Sequence, residues 1–66
     1  MIEITLDMVM LQKKMSSKEL AQIIDITPAN LSILKNGKAK GIRFSTLEKI
    51  CEALDCQPGD IIKHVK

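Results

Sequence analysis

The stretch of sequence that decides the fold is SKELAQIIDITPANLSILKN, residues 17–36. Apolar side chains recur in it at three- and four-residue spacing, which is typical of the buried face of an amphipathic helix. The spacing predicts one helix over Ser17–Ile24 and another over Pro28–Asn36. Asp25 and Ile26 alone separate the first helix from the cap of the second. A connection this short forces the two helices to cross steeply.

Residues at the helix ends support these boundaries. Ser16 and Glu19 form an S-x-x-E capping box at the start of the first helix. Thr27 is a typical cap for the second helix, and Pro28 fills its first position, where no N–H is needed. Gly37 follows its last turn as a left-handed stop. Two helices joined in this way have helix-turn-helix geometry, in which the second helix projects outward and fits a DNA major groove.

The rest of the chain completes the prediction of an all-α fold with five short helices. A first helix is predicted over Leu6–Lys14, and a fourth begins after Ser45, which forms a second S-x-x-E box with Glu48. Pro58 starts a short fifth helix. The residues at core-facing positions are Leu6, Val9, Met10, Leu20, Ala21, Ile24, Leu31, Leu34, Leu47, Ile50, Cys51 and Leu54.

The two ends of the chain are strand-like. Residues 1–5 (MIEIT) alternate apolar and polar side chains, and residues 61–66 (IIKHVK) are rich in β-branched ones. A minimal two-stranded pairing of the ends is compatible with this pattern. No linker or repeat interrupts the sequence, so we expect residues 1–66 to form one small domain.

Charge is distributed unevenly along the chain. The net charge of +2 is small, but residues 26–47 contain no acidic side chain. The basic residues of that segment are Lys35, Lys38, Lys40 and Arg43. Acidic residues become frequent again only after it. The pattern predicts one basic face; the alternative is that KAKGIR, residues 38–43, is merely a flexible, solvated loop.

Several classes of function are disfavoured by the sequence. No apolar run approaches the roughly 18 residues that span a bilayer, and no basic leader precedes Glu3 and Asp7. We therefore predict a cytoplasmic protein that does not contact a membrane and whose cysteines are reduced. Nothing in the composition indicates a cofactor or a small-molecule substrate.

The chain also lacks a convincing metal or catalytic site. Cys51, Cys56 and His64 are the only N or S candidates for zinc, which prefers four ligands. Cys51 lies on the core-facing stripe and is better interpreted as a small buried hydrophobe. Glu48 and Glu52 share one exposed helix face, where they repel each other mildly rather than form an acid–base pair. We predict no catalytic residue, no metal and no enzymatic activity.

Over nearly its whole length the sequence resembles the Cro/C1-type (Xre family) helix-turn-helix proteins, such as the lambdoid phage repressors and Cro. The apolar residues at the family's structural positions are Leu20, Ala21, Ile24, Ile26, Leu31 and Leu34. NGKAKGIRF, residues 36–44, resembles the loop after the recognition helix. CEALDCQPGDII, residues 51–62, resembles small bacterial members. Two departures are Asp25, where the family usually has glycine, and Ser17, where many relatives have glutamine.

The resemblance implies a lambda-repressor-like fold and sequence-specific binding to a double-stranded DNA operator by a transcriptional regulator, most simply a repressor. Lys38, Lys40 and Arg43 would follow DNA phosphates, with Arg43 reaching toward the minor groove, and the backbone at Ser17 would contact another phosphate. The exposed residues of the recognition helix that would face DNA are Thr27, Pro28, Ala29, Asn30, Ser32, Ile33 and Asn36.

Family members usually bind as two-fold dimers, so a homodimer is expected, with its surface between Cys56 and Val65. The alternative is a protein-interaction module, such as an antitoxin or adaptor that keeps the helix-turn-helix fold. The two readings differ in the expected salt dependence of binding to DNA.

Overall fold

Five helices and one two-stranded sheet make up the protein, and the computed structural model describes all of residues 1–66. In chain order the elements are β1 (Ile2–Ile4), α1 (Leu6–Gln12), α2 (Ser17–Ile23), α3 (Pro28–Lys35), α4 (Phe44–Leu54), α5 (Pro58–Ile61) and β2 (Ile62–His64). The prediction of five short helices with a minimal pairing of the ends is confirmed. None of the helices is both long and apolar enough to cross a membrane.

Helices α1 to α4 all end in the same way. One or two residues after the end of each helix the chain adopts a left-handed conformation, and the next N–H bonds back to a carbonyl five residues earlier at 3.0–3.1 Å. The left-handed residues, with their φ values, are Lys14 (57°), Asp25 (58°), Gly37 (73°) and Asp55 (50°). The stop predicted at Gly37 is confirmed, whereas the helix predicted to reach Lys14 ends at Gln12 because of this turn. Asp25 takes the left-handed turn expected of it.

Replacing Lys14 by glycine is expected to raise the free energy of unfolding by about 1 kcal/mol. A side chain in the left-handed region costs roughly 1–2 kcal/mol, and the greater freedom of glycine in the unfolded chain offsets part of that gain. Urea denaturation measures the change. Lys13→Gly is the matched control, since it removes the same charge at a φ of −87° and should destabilise by roughly 0.5–1 kcal/mol. Equal destabilisation by both variants would contradict this account.

The side-chain caps predicted for α2 and α3 are formed, but the capping box of α2 is incomplete, since the Glu19 carboxylate bonds the Ser16 hydroxyl and not the Ser16 backbone N–H. The Ser16 Oγ accepts a hydrogen bond from the Glu19 N–H at 3.1 Å, and its hydroxyl donates to the Glu19 carboxylate at 3.2 Å. The Thr27 Oγ1 accepts from the Asn30 N–H at 3.1 Å. Pro28 occupies the first turn of α3. These caps fix both ends of the turn between α2 and α3, and therefore the direction in which α3 leaves the domain.

The prediction that Ser45 caps the start of α4 is wrong. The helix begins at Phe44 with Arg43 as its N-cap, and no side chain caps it. Ser45 therefore lies inside the first turn, and its box with Glu48 does not form. Ile42 and Leu47 both pack against the core at this point. Ile42 before the cap and Leu47 at the fourth helical position occupy the two places of a hydrophobic staple, and α4 starts two residues earlier than the S-x-x-E pattern predicts.

The core contains only apolar side chains. Its eleven buried residues are Leu6, Val9, Met10, Leu20, Ala21, Ile24, Leu31, Leu34, Ile50, Leu54 and Ile61. All but Ile61 were predicted, while two residues predicted there, Leu47 and Cys51, are half-buried and pack against its edge. Helix α2 packs against both α3 and α4. The inner faces of these three helices are thereby buried, which leaves the outer face of α3 at the surface.

The ends of the chain pair as an antiparallel sheet. Glu3 lies opposite Lys63, an arrangement of opposite charges that stabilises such pairs. Thr5 joins β1 to α5, since its N–H donates to the Ile61 carbonyl at 2.6 Å and its hydroxyl donates to the Asp60 carbonyl at 2.7 Å. The hydroxyl is thus used between elements, and α1 has no side-chain cap.

Candidate nucleic-acid interface

Helix α3 has one face in the core and one face exposed. Leu31 and Leu34 are buried, whereas Ile33 is 46% exposed despite its apolar side chain. The other predicted DNA contacts in and next to α3 are exposed as well: Thr27, Pro28, Ala29, Asn30, Ser32 and Asn36. The Asn36 amide donates to the Ser32 hydroxyl at 3.3 Å, so these two side chains are connected along one edge of the face.

A shallow groove connects this face to the start of α4. Asn30 and Ile33 of α3 line it, together with Arg43 and Thr46 at the start of α4. The remaining lining residues are Ile26, Leu34, Ala39, Gly41 and Ile42. The structure therefore brings Asn30, Ile33 and Arg43 together, although Arg43 is separated from α3 by the whole loop. Thr46 was not predicted, and nothing at sequence level distinguishes it from a helix surface residue.

The loop between α3 and α4 holds its basic side chains outward. Ala39 and Ile42 pack against the core, whereas Lys38, Lys40 and Arg43 are exposed. None of these three cations takes part in the single ion pair of the protein, which joins Lys35 to Asp7. The alternation of packed and exposed residues shows that the loop is anchored rather than uniformly solvated. Three positive charges without an ion-pair partner thus lie on the loop that follows α3, and one of them, Arg43, lines the groove with Ile33.

Lys35 is the only cation of residues 26–47 whose charged group contacts other side chains of the protein. Its Nζ donates to the Ser17 Oγ at 3.1 Å and lies 3.8 Å from a carboxylate oxygen of Asp7. The Lys35 side chain is only 25% exposed. Ser17 is half-buried as well, so its hydroxyl is already occupied within the protein. The pairing connects α1, α2 and the end of α3, and no local pattern in the sequence predicts it.

Phe44 is an exposed surface residue that is not among the predicted DNA contacts. Its side chain is 87% exposed and follows Arg43 directly at the first position of α4. The available signal was that the only aromatic residue of the chain comes immediately after the basic loop.

The sequence that forms these elements matches a known family. A family model for the Cro/C1-type helix-turn-helix DNA-binding domain matches residues 5–66. The chain belongs to this family. It is also 60% identical over 63 residues to a Bacillus subtilis (strain 168) protein described as the uncharacterized HTH-type transcriptional regulator YozG. The similarity covers 96% of this chain and 75% of that protein.

Membership of the Cro/C1-type family confirms the resemblance read from the sequence. DNA binding is the function of the family's domain, and α2 and α3 are its helix-turn-helix. The family is one of DNA-binding proteins and not a class of enzymes. The two departures from the family pattern are both accommodated, since Asp25 adopts the left-handed turn and Ser17 packs with Lys35.

The cysteines of this family member lie away from the exposed face of α3. Cys51 and Cys56 are free thiols, both half-buried, near the C-terminal end of α4. Cys51 is thus less enclosed than its place on the core stripe predicts. Burial, then the neighbouring Cys51 side chain and the Asp60 carboxylate, raise the pKa of the Cys56 thiol, while Lys13 opposes the shift. His64 is exposed on β2, and no group of three or more potential metal ligands forms.

Proposed function

We propose that the protein is a transcriptional regulator, most simply a repressor, that binds a double-stranded DNA operator with α3 in the major groove. Residues 1–66 act in this proposal as one DNA-binding unit. The observation that carries it is the shared groove of Asn30, Ile33 and Arg43, which connects an exposed helix face to a loop of unpaired cations. A helix and a basic loop side by side can contact base edges and phosphates at once.

Base recognition in this proposal depends mainly on apolar contacts. The first turn of α3 and the residue one turn later present Thr27, Pro28, Ala29 and Ile33. Three of these lack a polar side-chain atom, so they cannot form the bidentate hydrogen bonds that distinguish guanine or adenine. They can pack on thymine C5-methyl groups. Asn30, beside them in the groove, supplies a polar contact.

Phosphate contacts come from the loop. Lys38, Lys40 and Arg43 have no partner within the protein that a phosphate would have to displace. Arg43 also favours a narrow, A·T-rich minor groove, because its negative potential attracts guanidinium groups. Ser17 contributes through its backbone N–H, since its hydroxyl accepts from Lys35. Ser32 and Asn36 contribute at the edge of α3.

The regulator binds as a two-fold homodimer, with half-sites about 34 Å apart. The expected dimer surface is the C-terminal segment from Cys56 to Val65. Within it Ile61 is buried in the protein's own core. The apolar side chains left exposed near this segment are Met1 (79%), Ile2 (62%) and Val65 (38%). The outer end of the β1–β2 sheet is therefore the part of that surface that remains free to contact a second copy.

Footprinting on the DNA next to the protein's own gene tests the proposal. Two protected half-sites about one helical turn apart are expected. A salt titration of binding to random duplex DNA distinguishes this proposal from the alternative function. A DNA-binding protein gives a steep negative slope of log affinity against log salt. A protein-interaction module such as an antitoxin or adaptor gives almost no slope and no footprint.

Replacing a contacted thymine by uracil should weaken binding by about 1 kcal/mol, because only the methyl group is removed, whereas a lost bidentate pair costs about 1–3 kcal/mol. The affinity of a substituted operator measures the effect. Ile33→Ala should abolish this sensitivity at one position and leave non-specific affinity nearly unchanged. If no thymine in the site is sensitive to the substitution, α3 does not dock in this orientation.

A further inference from the structure

The turn at the end of α4 brings the only two cysteines of the protein together. The Cys56 N–H donates to the Cys51 carbonyl at 3.1 Å, and Asp55 between them has a φ of 50°. This is a Schellman motif. Cys51 lies four residues before the left-handed Asp55, and Cys56 follows Asp55 directly. A contact between the side chains at these two positions, normally a hydrophobic one, frequently accompanies the motif, and here the Cys56 and Cys51 side chains are within hydrogen-bonding reach of each other. Here both members of the pair are thiols.

The surroundings of the two thiols are partly shielded. Both side chains are half-buried and pack against the core, and neither is in a disulfide. Charged groups from two other elements also face Cys56, namely Lys13 after α1 and Asp60 of α5. A second protein molecule therefore reaches these sulfurs less easily than a small oxidant does.

We propose that Cys51 and Cys56 are a dithiol that closes to an intramolecular disulfide when the protein meets a peroxide. One thiolate attacks a peroxide oxygen, the O–O bond breaks, and an alkoxide or hydroxide leaves, which gives a sulfenic acid. The second thiol attacks that sulfur, the S–S bond forms, and water leaves. Two thiols are oxidised, and one peroxide is reduced to an alcohol, or to water, with release of one further water.

The position of the pair determines what oxidation changes. Cys51 and Cys56 lie at the C-terminal end of α4, whereas Arg43 and Thr46, which line the groove with α3, lie at its N-terminal end. A disulfide across one turn at the far end leaves that surface in place. The bond removes both thiols from reaction with other molecules, so oxidation is expected to spare DNA binding and to prevent cross-linking between chains.

Titration of the intact protein with hydrogen peroxide, followed by alkylation and mass spectrometry, tests the proposal. The expected product is a single chain, not cross-linked to another, that has lost two hydrogen atoms, takes up no alkylating reagent, and recovers both reactive thiols after treatment with a reductant. Formation should accelerate as the pH rises, because the thiolate is the reacting form. Cross-linked dimers, or sulfinic and sulfonic acids without the disulfide, would overturn it.

Single variants provide the matched controls. Cys51→Ser and Cys56→Ser each retain one thiol and should give sulfinic acid or cross-linked dimers at the peroxide dose that converts the parent to its disulfide. Binding of the oxidised parent to a mixed-sequence duplex at low salt should equal that of the reduced protein. A marked loss of affinity on oxidation would contradict the separation of the thiol pair from the DNA-facing surface.

Discussion

Replacement of Lys38, Lys40 and Arg43 together by alanine is expected to lower affinity for every duplex by roughly 1,000-fold. A hydrogen bond to a charged group contributes at least about 1.5 kcal/mol, and each 1.4 kcal/mol is about tenfold in affinity. The loss should be similar for operator and random DNA, because phosphates carry no sequence information. The slope of log affinity against log salt should fall by roughly three. Electrophoretic mobility shift at several salt concentrations measures both quantities.

The matched control removes the same charge elsewhere. Lys13, Lys14 and Lys66 are exposed and lie outside both the surface formed by α3 and the loop and the expected dimer segment from Cys56 to Val65. Their joint replacement lowers the net charge equally, and we expect only a small effect on the salt slope. Equal losses from the two triple variants would mean that total charge, and not the loop, governs binding.

Replacing a buried residue of α3 is expected to have the second large effect, a loss of folding stability. Leu31 is fully buried, and Leu31→Ala should destabilise the domain by about 2–5 kcal/mol through lost burial and a residual cavity. Small domains have total stabilities near the low end of about 5–15 kcal/mol, so this single change removes a large share of the folded population at physiological temperature. Urea denaturation followed by circular dichroism measures it.

Ile33→Ala is the comparison that makes this test specific to the orientation of α3. The two residues lie on the same helix, but Ile33 is 46% exposed, and surface substitutions usually change stability by less than about 0.5 kcal/mol. Leu31→Ala should therefore affect folding, and Ile33→Ala should affect operator recognition. A large loss of stability in Ile33→Ala would place that side chain in the core and remove it from the DNA-facing surface.

Much of the fold was predictable because local signals agree with one another. Ser16 and Thr27 cap their helices as the sequence indicates, and Gly37 ends α3. Apolar spacing identified ten of the eleven buried residues. Such features depend on backbone hydrogen bonds within a few residues, and the residue type needed at each position is narrow. The same locality explains why the exposed face of α3 was visible in the sequence.

The features that escaped prediction depend on contacts between distant residues. Lys35 belongs to the basic segment in the sequence, but in the fold it contacts Asp7 and Ser17, and neither partner is close to it in sequence. Ser45 matched a capping box, but packing of Ile42 and Leu47 fixed the start of α4 instead. In both cases tertiary packing overrode a valid local pattern. The local pattern alone does not show that a contact with a distant residue is more favourable.

The pairing of β1 with β2 brings the first and the last residues of the sequence side by side. Ile2 lies opposite His64, so forming this sheet closes a loop that contains nearly the whole chain. Loop-closure entropy makes such contacts unfavourable until nearer ones are in place. The helices, whose contacts are mostly local, are thus expected to assemble first and the strands last. Because the two ends meet, a circular permutant with joined ends and a break in a surface turn remains compatible with the same packing.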